Sequence, residues 1–377
     1  MDRLRIAAFG GFRSIPPKEG GGGADKLAVE LYPRIVKRGH EVIAYGRIYP
    51  GDGEKAKFTE YEGVKIISHR TVDRAGFDTL LHSFKATIDI ILHNRADIVH
   101  LQSGANSIWA LFLRLFGKKV FLSQFAMDWK RAIWPWYAKL FYHFSNYLTA
   151  YIPNKVIFDN IYTKEYFEKK FHRHYDFVPY GSEVKITSQQ SSIFENIGVI
   201  PGEYFLFVGR FIPDKGVHLL VKAFQKVKTD KKLVLIGGSP TPNNYEKEIL
   251  NTNNKRIIFP GYIYGDDTNI LIKNAFVYIQ PSLIEGLSPV ILTVMGLGTP
   301  ILCSDIVENK FITSDNATHF KTGNIEDLSE KILYTLNNPG KIKQVAEVGQ
   351  KDILARFNWD IITDQYIKIF SNKKKYD

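Results

Sequence analysis

The chain is 377 residues long, with 45% apolar and 24% charged residues, which is the composition of a folded globular protein and excludes a disordered or collagenous one. Its formal net charge of +11 is uneven: residues 1–180 carry 27 Lys and Arg against 18 Asp and Glu, while residues 181–377 carry 23 against 21. The single cysteine, Cys303, excludes an intrachain disulfide framework, and no window reaches the ~18 continuous apolar residues that a spanning helix requires.

The first strand, Ile6–Phe9, leads through a long segment to four consecutive glycines, Gly20 to Gly23, and Asp25 then opens a helix predicted over Asp25–Arg38. Such a loop permits positive φ and close approach of backbone to a ligand, with a helix N-terminus behind it. A loop without fixed structure is the alternative. The pattern is not G-x-G-x-x-G and no acidic ribose partner follows at the expected spacing, which argues against a nicotinamide dehydrogenase.

Further strands are predicted at Glu41–Tyr45, Lys65–Ser68, Ile98–Leu101, Val120–Ser123, Lys155–Phe158 and Phe177–Pro179, with a helix over Leu80–His93. His100, at a strand end, either lines a site or is a structural histidine. Asp128, beside Trp129, follows the next strand and could orient hydroxyl groups. Within residues 129–151, Trp134, Tyr137, Phe141, Phe144, Leu148 and Tyr151 recur at alternating three and four, which is one helical face. An ordinary helix turns such a face to the core. The surplus of aromatic and basic residues, with Lys118, Lys119, Lys130 and Arg131 in neighbouring segments, alternatively seats the protein on an anionic membrane. His172 and His174 are too isolated from other ligands to argue for a metal site.

Residues 181–202 gather Ser, Gln, Gly and Pro, as a connector does. Beyond them the alternation resumes, with strands at Tyr204–Val208, Lys232–Ile236, Arg256–Phe259, Val277–Gln280 and Pro300–Cys303. The first opens into Gly209-Arg210-Phe-Ile-Pro-Asp-Lys215-Gly216, which delivers two cations to the carboxyl edge of a sheet, where open α/β sheets bind phosphorylated ligands. The planar fork of Arg210 and the point charge of Lys215 suit a departing diphosphate; a turn with two solvated cations is the plainer reading. Further on, Ser288 fits an N-cap and Pro289 the first helical position, so a helix begins just past Glu285-Gly286. Cys303 reads as a buried strand thiol.

On these motifs, together with Arg34-Ile-Val-Lys-Arg-Gly-His-Glu-Val42, Met127-Asp128-Trp129-Lys130-Arg131 and the periodic run Trp359–Phe370, the chain resembles a family 4 glycosyltransferase of GT-B fold over nearly its whole length. It is most similar to the bacterial rhamnosyltransferase-like branch used in surface polysaccharide assembly. The resemblance implies an α/β architecture of two Rossmann-like, doubly wound parallel-sheet domains facing across a cleft. Their expected bounds are 1–182 for the acceptor domain and 183–360 for the donor domain, with the last helix, about 361–377, packing back on the first.

The implied activity is transfer of a sugar from a nucleotide diphosphate sugar to a hydroxyl of a glycan or lipid-linked acceptor, with retention, no cofactor and no obligatory metal. Arg210 and Lys215 match the positions that hold the donor diphosphate, and Glu285 matches the acid that touches the donor sugar. Gly22, Gly23, Gly209, Gly286, Leu287 and Ser288 fall on the donor side, and Tyr262 falls where relatives stack the donor base, an aromatic being chemically sensible there. Asp128, His100 and Phe125 fall on the acceptor side.

Two positions depart from the family pattern. Thr293 stands where a second glutamate binds both ribose hydroxyls, which a threonine cannot bridge as a carboxylate does. Phe125 stands where relatives carry a histidine over the reaction centre, and it can neither donate nor accept a proton. These departures motivate an alternative, a catalytically impaired subunit that acts as a binding or scaffolding partner. The chain lacks a signal-type apolar stretch at its start, so the expected location is cytoplasmic or peripheral on the inner face of the membrane. No nucleic-acid module signature accompanies the basic residues, so nucleic acid is not an expected partner.

Overall fold

In the computed structural model the chain forms two compact units, one of Met1–Tyr180 with Trp359–Asp377 and one of Gly181–Asn358. The structure describes residues 3–16, 23–52, 59–74, 76–125, 135–182, 192–239 and 243–372.

The first unit runs β1 (Arg5–Phe9), α1 (Gly23–Lys37), β2 (Glu41–Ile48), β3 (Glu60–Tyr61), β4 (Val64–Arg70), α2 (Phe77–Leu92) and β5 (Ile98–Gln102). It continues with α3 (Ser107–Leu115), β6 (Lys119–Gln124), α4 (Trp136–Tyr151), β7 (Lys155–Phe158), α5 (Ile161–Phe171) and β8 (Asp176–Phe177). The sheet order is β3-β4-β2-β1-β5-β6-β7-β8. Strand β1 is central because Ile6 pairs with Val42 on one side and Ile98 on the other, and the order reverses between β1 and β5. Strands covered on both faces read as continuous apolar runs, and Ala7, Phe9, Val99, Leu101, Val120 and Leu122 accordingly meet in one core. The pairing is parallel except at the two-residue β3, which is antiparallel to β4.

The second unit runs α6 (Ile193–Ile197), β9 (Tyr204–Arg210), α7 (Val217–Lys226), β10 (Lys232–Gly238), α8 (Asn244–Leu250), β11 (Ile257–Gly261), α9 (Asp266–Lys273) and β12 (Val277–Gln280). Then come α10 (Pro289–Gly296), β13 (Ile301–Ser304), α11 (Val307–Thr313), β14 (Thr318–Phe320), α12 (Ile325–Asn337) and α13 (Pro339–Arg356). The six strands are ordered β11-β10-β9-β12-β13-β14, and every pairing is parallel. Cys303 is buried in β13, and burial pushes its thiol up to about 12, which keeps it unreactive.

The last helix, α14 (Trp359–Ser371), rejoins the first unit. The Arg38 guanidinium holds Asp360 at 2.9 Å and Asp364 at 2.6 Å, Arg34 lies over the Trp359 ring, and Trp359 itself is buried.

One expectation is overturned at α4. The helix buries Ser145, Asn146, Thr149 and Ala150, while Tyr137, Phe141, Phe144 and Tyr151 of the periodic aromatic face are exposed. The aromatic side therefore does not face the core. Trp134 lies outside the described residues.

Candidate functional site

In the second unit β9 and β12 are neighbours, and strand order reverses between them. The carboxyl ends of two such strands are where open α/β sheets hold ligands. The octet follows β9 and the loop carrying Glu285 follows β12, so sequence segments some seventy residues apart converge at one point.

The two loops are fastened to each other through backbone. The Leu283 amide donates to the Asp214 carbonyl at 2.8 Å. A β-carbon at Gly216 (φ +65) would lie 2.0 Å from the Pro281 carbonyl oxygen, so this approach requires glycine twice over, for its torsion and for its lack of a side chain. A 3-10 turn, Pro213–Lys215, lifts Lys215 toward the second loop.

Lys215 Nζ donates to Glu285 Oε1 at 2.5 Å. The same oxygen accepts from Ser282 Oγ and from Gln280 Nε2, each at 2.6 Å. Gln280 Oε1 in turn accepts from the Tyr278 hydroxyl at 2.6 Å. The Ser282 carbonyl accepts from Ser304 Oγ at 2.6 Å, and Asn309 Nδ2 donates to that same serine oxygen at 3.0 Å. Glu285 thus sits at the end of a hydrogen-bonded chain anchored on β12 and β13, with its side chain only 7% exposed. Burial holds the Tyr278 phenol well above its ordinary value, so it stays a donor.

Just beyond, Ser288 Oγ accepts from the Ile291 amide and Pro289 occupies the first turn of α10, so the cap read from the sequence is the cap observed. Gly286 and Leu287 join Glu285 to this cap, Leu287 being buried. Thr293 is also buried, and its hydroxyl donates back to the Pro289 carbonyl at 3.0 Å within α10. Glu308 and Asn309 lie in the first turn of α11, Asn309 fully buried.

Arg210, the last residue of β9, is exposed, as are Tyr262 and Tyr264 beyond β11, whose rings stack at 5.8 Å and 2°. Burial and Tyr264 push the Tyr262 phenol up while the Arg210 charge pulls it down, which puts that cation within electrostatic reach of the ring. A β-carbon at Gly238 would lie 3.1 Å from the Tyr262 ring, so the tyrosine rests on the carboxyl end of β10. Gly209 is in ladder with Gly237, whose own β-carbon would strike the Gly209 carbonyl oxygen. Two cations, one carboxylate, a capped helix N-terminus and an exposed aromatic pair thus share the carboxyl edge of one sheet.

In the first unit the residues expected on the acceptor side do not all reach the surface. His100 is fully buried: Nδ1 lies 3.0 Å from the Tyr32 hydroxyl, Nε2 lies 2.8 Å from Ser123 Oγ, and the ring packs on Tyr366 and Phe370. Burial pushes its pKa down to about 3, so it is a neutral structural histidine that cannot touch a substrate from the core. Phe125 is half-buried and stacks on Tyr180 at 6.3 Å. Gly23 begins α1, and Asp25 in its first turn accepts from the Arg13 amide at 2.8 Å. Gly22 and Asp128 lie outside the described residues.

Sequence reasoning missed Gln280 and Ser282. Both were visible as polar side chains at the end of the apolar β12 run, where a buried amide or hydroxyl implies a partner. It also missed Ser103, which follows β5 at the reversal of strand order in the first unit with φ 75, a conformation costly for a non-glycine residue. Among the described residues no cluster of His, Cys, Asp and Glu could hold a metal ion.

Both units of the chain resemble known proteins. Residues 192–352 match the model of Glycosyl transferases group 1, and residues 21–178 match that of Glycosyltransferase Family 4. An uncharacterized glycosyltransferase of Methanocaldococcus jannaschii is 26% identical over 201 residues, 51% of each protein. O-antigen chain mannosyltransferase B of Escherichia coli is 23% identical over 176 residues, 44% of this chain and 45% of that protein. The chain thus spans about half the length of the curated relatives it matches. The crystal structure of Anabaena HepE in complex with UDP and glucose superposes with a TM-score of 0.80 at 15% identity, covering 98% of this chain and all of that one. The fold is GT-B.

Proposed function

From a chain whose two units match these glycosyltransferase models, we propose a retaining glycosyltransferase that moves a sugar from a nucleotide diphosphate sugar to a hydroxyl of a glycan or lipid-linked acceptor. It serves surface polysaccharide or glycoconjugate synthesis at the cytoplasmic face, in the manner of the rhamnosyltransferase-like branch. The observation that carries this reading is the convergence of Lys215 and Glu285 at the reversal of strand order.

The bond from the anomeric carbon to the diphosphate breaks, and its electron pair stays on the diphosphate. The acceptor oxygen forms the new bond on the same face of the sugar, and its proton passes to the departing diphosphate. The ammonium of Lys215 has three N–H donors, of which Glu285 engages one. The others, with the fork of Arg210, meet the charge that grows on the leaving group, and no metal is needed for that neutralisation. Glu285, held by Gln280 and Ser282, accepts from hydroxyls of the donor sugar. The exposed Tyr262 offers its face to the donor base. Thr293 contributes no carboxylate to the ribose, so the diphosphate and base carry more of the affinity. An assembled charged site is unnecessary in a scaffolding subunit, which disfavours that alternative.

The test is calorimetric titration of UDP, GDP and dTDP and their sugar conjugates into the wild type and Lys215→Ala. The reading expects micromolar binding of one nucleotide class that the variant loses. Binding of none of them by the wild type would overturn it.

A further inference from the structure

The exposed apolar side chains of this protein are not scattered. More than half of the large ones among the described residues lie on α2, α3 and α4 of the first unit. Leu92, Leu115 and Trp136, one on each helix, are 72%, 72% and 77% exposed. The three helices form one surface. Phe84 of α2 meets Trp109 of α3 at 5.8 Å, and Trp109 meets Phe112 at 6.0 Å. Beneath the rings, Ser107 Oγ donates to the Ser145 carbonyl and the Arg114 guanidinium donates to the Ile152 carbonyl, which lock α3 to α4.

Helix α4 is amphipathic with the wrong side in. It packs on its own unit through Ser145, Asn146, Thr149 and Ala150 and leaves Trp136, Tyr137 and Phe144 outside. A helix serving only its own core would bury the aromatics. Contiguous exposed apolar surface of this extent marks an interaction site.

The charge around the patch identifies the partner. Arg74 lies over Phe77 at 5.3 Å, Lys170 over Tyr147 at 5.3 Å and Arg173 over Tyr151 at 4.7 Å, so cations rim the aromatics at both ends. Between Asp97 and Asp159 the sequence holds one carboxylate, Asp128, against seven Lys and Arg. The carboxylates of α2 face inward, Asp78 paired with Arg47 at 2.7 Å and Asp89 with Arg95 at 3.1 Å. A basic rim around amphipathic rings fits anionic headgroups over an acyl boundary, and it repels a second copy of itself. Among the described residues no helix is long and apolar enough to cross a membrane.

We propose that the α2, α3 and α4 face lies on the headgroup region of an anionic bilayer, with its aromatic side chains inserted and its cations on lipid phosphates. This goes beyond the glycosyl-transfer reading and does not depend on it. The experiment is sedimentation of the full chain with vesicles of phosphatidylcholine, with and without phosphatidylglycerol, in the absence of nucleotide. A triple variant, Trp136→Ser with Tyr137→Ser and Phe144→Ser, is run alongside, and circular dichroism checks its fold.

Wild-type partitioning onto the phosphatidylglycerol vesicles should exceed that onto neutral ones, weaken as salt rises, and fall about tenfold or more in the variant. Three results would overturn the proposal: no wild-type binding to the anionic vesicles, equal binding by the variant, or a dimer in light scattering that the triple variant dissociates. Because nucleotide titration is read separately, failure here leaves the donor site standing, and the reverse also holds.

Discussion

Lys215 Nζ and Glu285 Oε1 stand 2.5 Å apart, although 70 residues separate them in sequence. Each is delivered by a different strand flanking the reversal in the second sheet, so the pair reports that both loops are in place. Replacing Lys215 with alanine removes the cation while Ser282 and Gln280 still hold the carboxylate. We expect turnover at saturating donor to fall by about 10²–10³ with the circular dichroism spectrum unchanged. Normal turnover in that variant would refute the leaving-group assignment.

Gln280 ties the Tyr278 hydroxyl to Glu285, so Gln280→Leu leaves the buried phenol only its longer bond to the Val208 carbonyl and takes one donor from the carboxylate. The expected cost is about 1–3 kcal/mol in urea unfolding. Adding Tyr278→Phe removes the hydroxyl left with its weaker bond alone and should restore part of the stability. Turnover should stay low in the double variant, because Glu285 still lacks the Gln280 donor that orients it. Recovery of both together would reduce Gln280 to a packing residue.

The acid limit of the first unit is set in part by His100. Burial holds its folded-state pKa near 3 against an ordinary 6.5, so below about pH 6.5 the unfolded chain takes up a proton that the folded chain refuses. The associated stability is full above that pH and is lost as pH falls, by about 1.4 kcal/mol per unit down to the folded value. His82, held near 3 by burial and by Arg47, adds to the same slope. Urea melts at pH 7 and pH 5 should show a smaller loss in His100→Gln than in the wild type. Equal losses would show that the ring is charged in the fold.

Loss of the Ser288 cap should be modest and local. Ser288→Ala is expected to lower stability by about 1 kcal/mol, with Ser288→Asp retaining most of it, as read from urea midpoints. A change of several kcal/mol would mean that the residue does more than cap α10.

Much of the fold was legible because buried parallel strands are short apolar runs between turn residues, and the segments around β5, β9 and β12 have no other plausible reading. The Ser288-Pro289 cap was legible because its chemistry is local. The two-residue β3 and three-residue β14 were not, since pairs this short carry no period. The side of α4 that faces inward was hidden for a different reason: periodicity finds a face but not its direction, and here the buried side is made of Ser145, Asn146, Thr149 and Ala150. The partners of Glu285 depend on contacts across the turn from Tyr278 to Glu285, which spacing alone does not specify. His100 was ambiguous because a strand-end histidine looks the same whether it faces solvent or, as here, lies against Tyr366 and Phe370 of α14.

That last packing has a bearing on how the protein is made. The second unit is one continuous stretch, whereas the first closes only when α14 settles on α1 and covers the His100 and Phe121 rings. On the ribosome the first-synthesised unit is therefore the later one to be finished: its sheet waits, one apolar surface bare, while the whole second unit is translated. A frameshift or premature stop just ahead of Trp359 would leave the second unit intact in sequence but deprive the first of its final helix, and the product would be a substrate for chaperones and proteases.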